Sequence, residues 1–433
     1  MRPNYACDSV EHFIARRSFL TTGLGMTAVL TGIGGLTQCA AAETLAAQRL
    51  SRQQKRILLF NMHGGLSQLE TWDPKPGTET GGPFRAIPTS VPGIHISELL
   101  PKTAMQMHHL CLLRGVNTSE DDHGKGAYMM LTGRRQSAAA NYPELGAVAA
   151  KSLVPENSAM PGHIRIVPWG GGGRGNDAAY LGPKYSSVAL GNGKPPQYTV
   201  LPDGIDDDSE TRRHAFRRSV DQNFASQHRS TMTDAFLNSY EAAAQLMQQR
   251  ETFDVEKESP ADQDRYGKHD FGRHCLLARR LLQHDVPFVQ VMHSNYDTHN
   301  ENFDFHHELV PQFDGPFATL IADLADSGLL EDTLVIVMSE FGRTPNINLY
   351  MGRDHWSKAW SIVMAGCNIA RGAAFGETSA NGTEVTDGQV DHAQLFHTYL
   401  HAVGVDSSNS FLVDGREMPL ADPAAEPIWK VLT

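Results

Sequence analysis

Three kinds of side chain at the ends of apolar runs have the types and spacing for metal chemistry. Asn61 closes the run RILLFNM and His63 follows it. Asp297 and His299 follow PFVQVMHSN, and Glu340 follows TLVIVMS. Asp354 and His355, in GRDHW, stand in the loop before the run WSIVMAG. Carboxylate oxygens with imidazole nitrogens suit Zn or Mn, and an all-oxygen subset suits Mg or Ca. The Asp-x-His spacing of 297 and 299 places both side chains on one side of an extended segment, within reach of one ion. Each residue also has a plainer reading: Asp297 and Glu340 as helix-start or loop caps, and His299, His306 and His307 as solvated loop residues. Several such residues at successive strand ends favour the metal.

The elements that position them follow from periodicity. Runs from Arg56, His109, His163, Pro287, Thr333 and Trp360 read as buried strands. FGRHCLLARRLLQH from Phe271 and FATLIADLADSG from Phe317 carry apolar residues at helical spacing. Alternation of this kind predicts an α/β fold, with a largely parallel central sheet covered by helices on both faces. Ligands of such sheets bind outside the carboxyl ends of the strands, which is where the candidate residues fall. The stretch 169–266, with GGGGRG, an acidic patch near Asp206 and a polar helix-like segment through Glu241 to Arg250, reads as an insertion. GGGGRG lacks the Lys-Ser/Thr ending of a phosphate-binding loop and reads as a flexible turn.

Composition sets the outer limits. The chain has 433 residues, 40% hydrophobic and 20% charged, enough for one large α/β domain with an insertion. Its formal charge of -12 and the absence of a basic run argue against nucleic acid as a partner.

Arg16-Arg17-Ser18-Phe19-Leu20 opens an apolar stretch that ends near Ala40-Ala41-Ala42. This reads as a twin-arginine signal over residues 1–42, which makes the translocase of that route a partner and the destination periplasmic or secreted. The remaining body, 43–433, holds 34 basic and 47 acidic residues, a net of -13. Its three cysteines, Cys111, Cys275 and Cys367, form no C-x-x-C pair, and Cys111 and Cys367 read as buried small hydrophobes.

YDTH, SEFGRTP, GRDHW and GGLSQLETWDPKP resemble the exported bacterial family of the domain of unknown function fifteen-hundred-and-one, from about residue 50 onward. That family resembles the alkaline phosphatase and sulfatase superfamily. The resemblance implies a divalent metal and an anionic small-molecule or polysaccharide ester as substrate. It also implies an acid after the first strand, where this chain has Asn61, and an Asp/His pair, matched by Asp297 and His299. The later acid and the late histidine then fall on Glu340 and His355. In sulfatases a modified nucleophile precedes an L-T-G-R helix end, and counting back from Thr132 in MLTGR lands on His123. Three readings stay open for His123: nucleophile or general acid, metal ligand with water attacking directly, or part of a site that binds without turnover. Ser67 and Ser119 are substitute nucleophiles or ordinary turn residues. Lys125 and Arg343 are candidates to hold an anionic oxygen, with structural salt bridges as the alternative. The expected function is metal-dependent hydrolysis of phosphate or sulfate esters, with a non-catalytic exported metal- or glycan-binding protein as the alternative.

Overall fold

A computed structural model describes residues 54–433 except 139, 155–157, 171–175, 196–198, 202 and 229–230. The expected signal at 1–42 and most of GGGGRG lie outside the described residues. Eight strands form the central sheet: β1 (Arg56–Met62), β2 (Leu110–Val116), β3 (His163–Val167), β4 (Val188–Gly191), β5 (Phe288–His293), β6 (Thr333–Met338), β7 (Trp360–Ala365) and β8 (Ala373–Phe375). Their order is β8-β2-β7-β6-β1-β5-β3-β4. All pairings are parallel except the two made by β7, which runs antiparallel to both β2 and β6.

The six apolar runs become strands because each is buried on both faces, so continuous Val, Ile and Leu is the stable solution. Alternate residues feed two separate cores. Leu58, Phe60, Val289, Val291, Val335 and Val337 face one core, shared with α5 (Asp270–Gln283) and α6 (Asn302–Asp326). Ile57, Leu59, Phe288, Leu334 and Ile336 face the other, shared with α1 (His123–Thr132), α2 (Leu145–Leu153) and α7 (His392–Ala402). The two remaining long helices, α3 (Asp207–Gln227) and α4 (Thr231–Gln248), lie within 169–266, but so does the edge strand β4. That segment therefore contributes to the central sheet as well as to helices.

The helix expected from Phe317 starts fifteen residues earlier, at Asn302, and carries Pro311 and Pro316 inside it. Its Asp314 carboxylate accepts hydrogen bonds from the backbone N–H groups of Lys102 (2.9 Å) and Thr103 (2.7 Å), capping the short helix that begins at Pro101. Cys111, Cys275 and Cys367 are all buried and unpaired. Among the described residues, no helix is long and apolar enough to cross a membrane.

Among the buried histidines are His163 at the start of β3, His274 in α5 and His293 at the end of β5. Burial pushes His163 and His274 down to about 4 and His293 to about 3. In the unfolded chain the same side chains titrate near about 6.5. Below that value the unfolded state binds protons that the folded state does not, so stability falls as pH falls. Each histidine removes up to about 1.4 kcal/mol per pH unit below its unfolded value. The urea midpoint at pH 5 is therefore expected to lie clearly below that at pH 7.5; equal midpoints would show that these histidines are not held neutral.

Candidate metal centre

The order β6-β1-β5 brings the carboxyl ends of three parallel strands side by side. The loop after β1 supplies His63, Gly64 and Gly65; the loop after β5 supplies Asp297 and His299; Ser339 and Glu340 follow β6 at once. The antiparallel β7 starts at this same edge, so the residues just before it, Asp354 and His355, arrive here too. Between them Gly342–Arg343 pairs antiparallel with His355–Trp356, bending GRDHW back over the sheet. His123 enters as the first residue of α1, whose cap Asp122 accepts from the Lys125 N–H at 2.9 Å.

Two glycines permit this convergence. A Cβ on Gly64, whose φ is +111°, would lie 2.6 Å from the Asp297 backbone N. One on Gly352 would lie 1.7 Å from the His299 carbonyl oxygen. Any side chain there would push the Asp297–His299 loop off the site.

One ligating atom from each of His123, Asp297 and His355 lies within 4.8 Å of the others. His123 Nε2 is 3.4 Å from Asp297 Oδ2, and His355 Nε2 is 3.2 Å from Asp297 Oδ1. His299 Nε2 adds a fourth donor atom, 3.1 Å from Asp297 Oδ1 and 3.0 Å from His355 Nε2. Ligands bound tetrahedrally at about 2.0–2.1 Å sit about 3.3 Å from one another, close to the contacts that each histidine makes with Asp297, while the mutually close set is His123, Asp297 and His355, with His299 beside it.

The outward nitrogens set what the inward ones can hold. His355 Nδ1 lies 2.7 Å from the Asp121 carbonyl oxygen, which can only accept, so Nδ1 carries the proton. His299 Nδ1 lies 2.7 Å from Asp354 Oδ1, and His123 Nδ1 lies 2.6 Å from Glu340 Oε1. With every Nδ1–H facing an oxygen, each neutral imidazole presents a lone pair at Nε2, and these lone pairs meet the Asp297 carboxylate. His123 Nε2 is buried and has no hydrogen-bond partner. The residues fit a divalent ion, with backing oxygens that set tautomer and ring orientation as in carboxylate–histidine–metal sites.

Without such an ion a proton can serve. The Glu340 hydrogen bond raises the His123 pKa, with burial working against it. At Asp297 burial acts to raise the pKa, but the Arg343 hydrogen bond and charge, with His355 and His123, carry it down to about 2. Metal and proton therefore compete at this centre.

Glu340 takes a different place from the expected ligand: it is buried behind His123. Its Oε1 also accepts from the Gly64 N–H at 2.9 Å, and Ser339 Oγ donates to Oε2 at 3.0 Å. Burial would raise its pKa, but the His123 hydrogen bond and the nearby His63 bring it below the ordinary value. Glu340→Gln is expected to weaken zinc affinity by about 10–100-fold, read by competition with a chromogenic chelator. Unchanged affinity would remove Glu340 from the account.

Arg343, expected to hold an anion, is instead sealed inside. Its guanidinium donates to the carbonyls of Gly65 (2.9 Å), Arg353 (3.0 Å) and Gly64, and to Asp297 Oδ1 at 2.7 Å. It positions Asp297 and has little left for a substrate. Lys125 is exposed beyond the helix start, with no ion pair to the cluster. His63 stays half-buried, its ring 6.2 Å from that of His123 and stacked on it. Asn61 is buried at the end of β1, in register with Met292 and Met338, and makes no hydrogen bond to the cluster. Ser119 is exposed and donates to Asn117 Oδ1 at 3.0 Å, while Ser67 is buried with its N–H donating to His306 Nε2 at 3.3 Å. His306 is a core residue, its Nδ1 donating to the Asn302 carbonyl at 2.8 Å.

Several supporting residues lay outside the sequence reading. Gln68 clamps the Arg343 backbone from both sides, donating to its carbonyl at 2.8 Å and accepting from its N–H at 2.9 Å. Glu70 and Arg353 form an ion pair at 2.8 Å in which both side chains are fully buried. Asn302 Nδ2 also donates to Glu70 at 3.0 Å, and Arg353 N–H donates to the Thr298 carbonyl at 3.0 Å. Glu70 lies in GGLSQLETW and Arg353 in GRDHW, so the signal was present as two motifs that share one role.

A family model described as Protein of unknown function (DUF1501) matches residues 54–432. This chain belongs to that family. No curated protein matches it. Similar solved structures include Ps i-CgsB in complex with k-i-k-neocarrahexaose, at 10% identity over 81% of this chain and 72% of that one, TM-score 0.40. Others are the PsFucS1 sulfatase from Pseudoalteromonas sp. (13% identity, 85% and 71% covered, TM-score 0.34) and the alkaline phosphatase from the Antarctic bacterium TAB5 (13%, 81% and 98%, TM-score 0.33). The neighbours thus include members of the superfamily that the motifs resemble. At these identities and scores no activity, substrate or residue role passes from them to this chain.

Proposed function

We propose that this protein is an exported, metal-dependent hydrolase of phosphate or sulfate esters. The convergence of the Nε2 atoms of His123, His299 and His355 on Asp297, with each Nδ1 tied to an oxygen, carries the reading. An ion held there supplies Lewis-acid polarisation of an ester oxygen and acidifies water near neutral pH. The chain's own residues do the positioning: Glu340 fixes the His123 ring, Asp354 the His299 ring, and Arg343 the Asp297 carboxylate. With His123 Nε2 turned to Asp297 as a ligand, water is the attacking group in this reading. Lys125, two residues beyond His123 and exposed to solvent, is a cation that can attract an anionic ester. The twin-arginine pattern at Arg16-Arg17 supports export.

A panel of chromogenic phosphate and sulfate esters with Zn, Mn, Mg and Ca tests the reading. Turnover with one ion, abolished by chelator and restored by that ion, is expected; no turnover with any ion would sink it. A second reading, binding of an anionic glycan without turnover, draws on the sealed Arg343 guanidinium and on Asn61 standing apart from the cluster. A sulfated-glycan pull-down on the same preparation separates the two, since capture without hydrolysis favours binding.

A further inference from the structure

The loop that returns GRDHW to the site carries three consecutive large apolar side chains in solvent: Leu349 is 98% exposed, Tyr350 71% and Met351 57%. Single exposed apolar residues are ordinary on protein surfaces, but a run of three is not. The loop is also tightly held. Asn348 Oδ1 accepts from the N–H groups of Tyr350 (2.9 Å) and Gly352 (3.0 Å), and its Nδ2 donates to the His299 carbonyl at 2.9 Å. The Tyr350 and Met351 carbonyls accept from Glu301 N–H (3.0 Å) and Asn302 N–H (2.9 Å) at the start of α6. A segment fixed in this way presents its side chains with little further ordering to lose on binding.

Leu349 and Tyr350 share an open surface hollow of about 350 Å³ with His299, Asn300, Asn348 and Asp354. One wall is therefore apolar, and the other is the histidine that faces Asp297, with the carboxylate that orients it. Open to solvent on its outer side, the hollow offers one ring or short chain an apolar face against Leu349 and Tyr350. Resting on the hydrolase reading, we infer that this hollow seats the alcohol part of the ester and selects alcohols with an apolar face, aryl or alkyl, against small polar ones. The Asp354 carboxylate, which lines it, disfavours an anionic group at this end of the substrate and leaves the anion to the metal centre.

The test uses zinc-loaded protein and two inert analogues, phenylphosphonate and methylphosphonate, with affinities measured by calorimetry and metal content by elemental analysis. The phenyl compound is expected to bind roughly tenfold more tightly, since apolar contact in an open pocket is worth about that much. The ratio should fall toward one in Leu349→Ser/Tyr350→Ser and persist in Leu349→Met, which keeps the apolar volume. Equal affinities in the wild type, or a ratio that survives the double substitution, would overturn the subsite. If neither analogue binds although zinc is present, the subsite fails while the metal centre stands. If no zinc is found, the hydrolase reading fails. Uncharged benzyl alcohol then decides the subsite, by whether it shifts the Tyr350 ring resonances or leaves them in place.

Discussion

Asp297→Asn is expected to lose bound metal and to lower turnover of the best ester by at least about a hundredfold, a floor set by what loss of a mere supporting residue does to metal sites. Asp297 is the single carboxylate that contacts His123, His299, His355 and Arg343 together. Asparagine keeps an oxygen to accept the Arg343 hydrogen bond, so the buried guanidinium is not stranded, but it removes the negative charge that holds an ion among three neutral imidazoles. The variant should therefore fold, with a urea midpoint near that of the wild type, while elemental analysis finds it empty. Retention of metal and activity would show that the ion is held without the Asp297 charge and would remove Asp297 from the centre.

The largest effect on stability is expected at Glu70. Arg353 donates to its carboxylate through both Nε and Nη2, and to the carbonyls of Thr344, Pro345 and Thr80. Glu70→Gln leaves that guanidinium buried with no counter-charge, and breaking a buried pair in this way costs about 3–5 kcal/mol. Glu70→Gln/Arg353→Met should recover part of the loss, because neither charge then remains. Urea unfolding measures both; a single variant as stable as wild type would mean that water reaches the pair. The pair also acts in acid. Burial raises the Glu70 pKa, but Arg353 and His306 outweigh it and the net shift is downward. A depressed carboxylate stabilises the fold above the ordinary carboxylate range, and the contribution is lost as pH falls through the folded value. This loss adds to that from His163, His274 and His293, which begins nearer pH 6.5.

The sequence was most legible where burial alone sets the pattern. Six strands were readable because strands covered on both faces must be continuously apolar, and their carboxyl ends marked the edge on which Asp297, His299, Glu340 and His355 meet. The short edge strands Val188–Gly191 and Ala373–Phe375 were not, since they are only partly buried and lack that signal. The antiparallel direction of Trp360–Ala365 was also hidden, because a buried run reads the same either way, yet that direction delivers His355 to the site. Roles proved harder than places. Glu340 and Arg343 both reach the centre, but which faces an ion and which stands behind a ligand depends on partners distant in sequence, here His123 and Gly64. The Glu70–Arg353 pair and the Gln68 clamp were missed for the same reason: each half looks like an ordinary loop residue until the other is beside it.

The most direct test is the metal content of the purified protein after incubation with Zn, Mn, Mg and Ca, beside an Asp297→Asn/His355→Ala variant. One ion per chain in the wild type and none in the variant is the expected result. No bound ion in the wild type, or the same content in both proteins, would contradict the assignment of His123, His299, His355 and Asp297 as a metal centre.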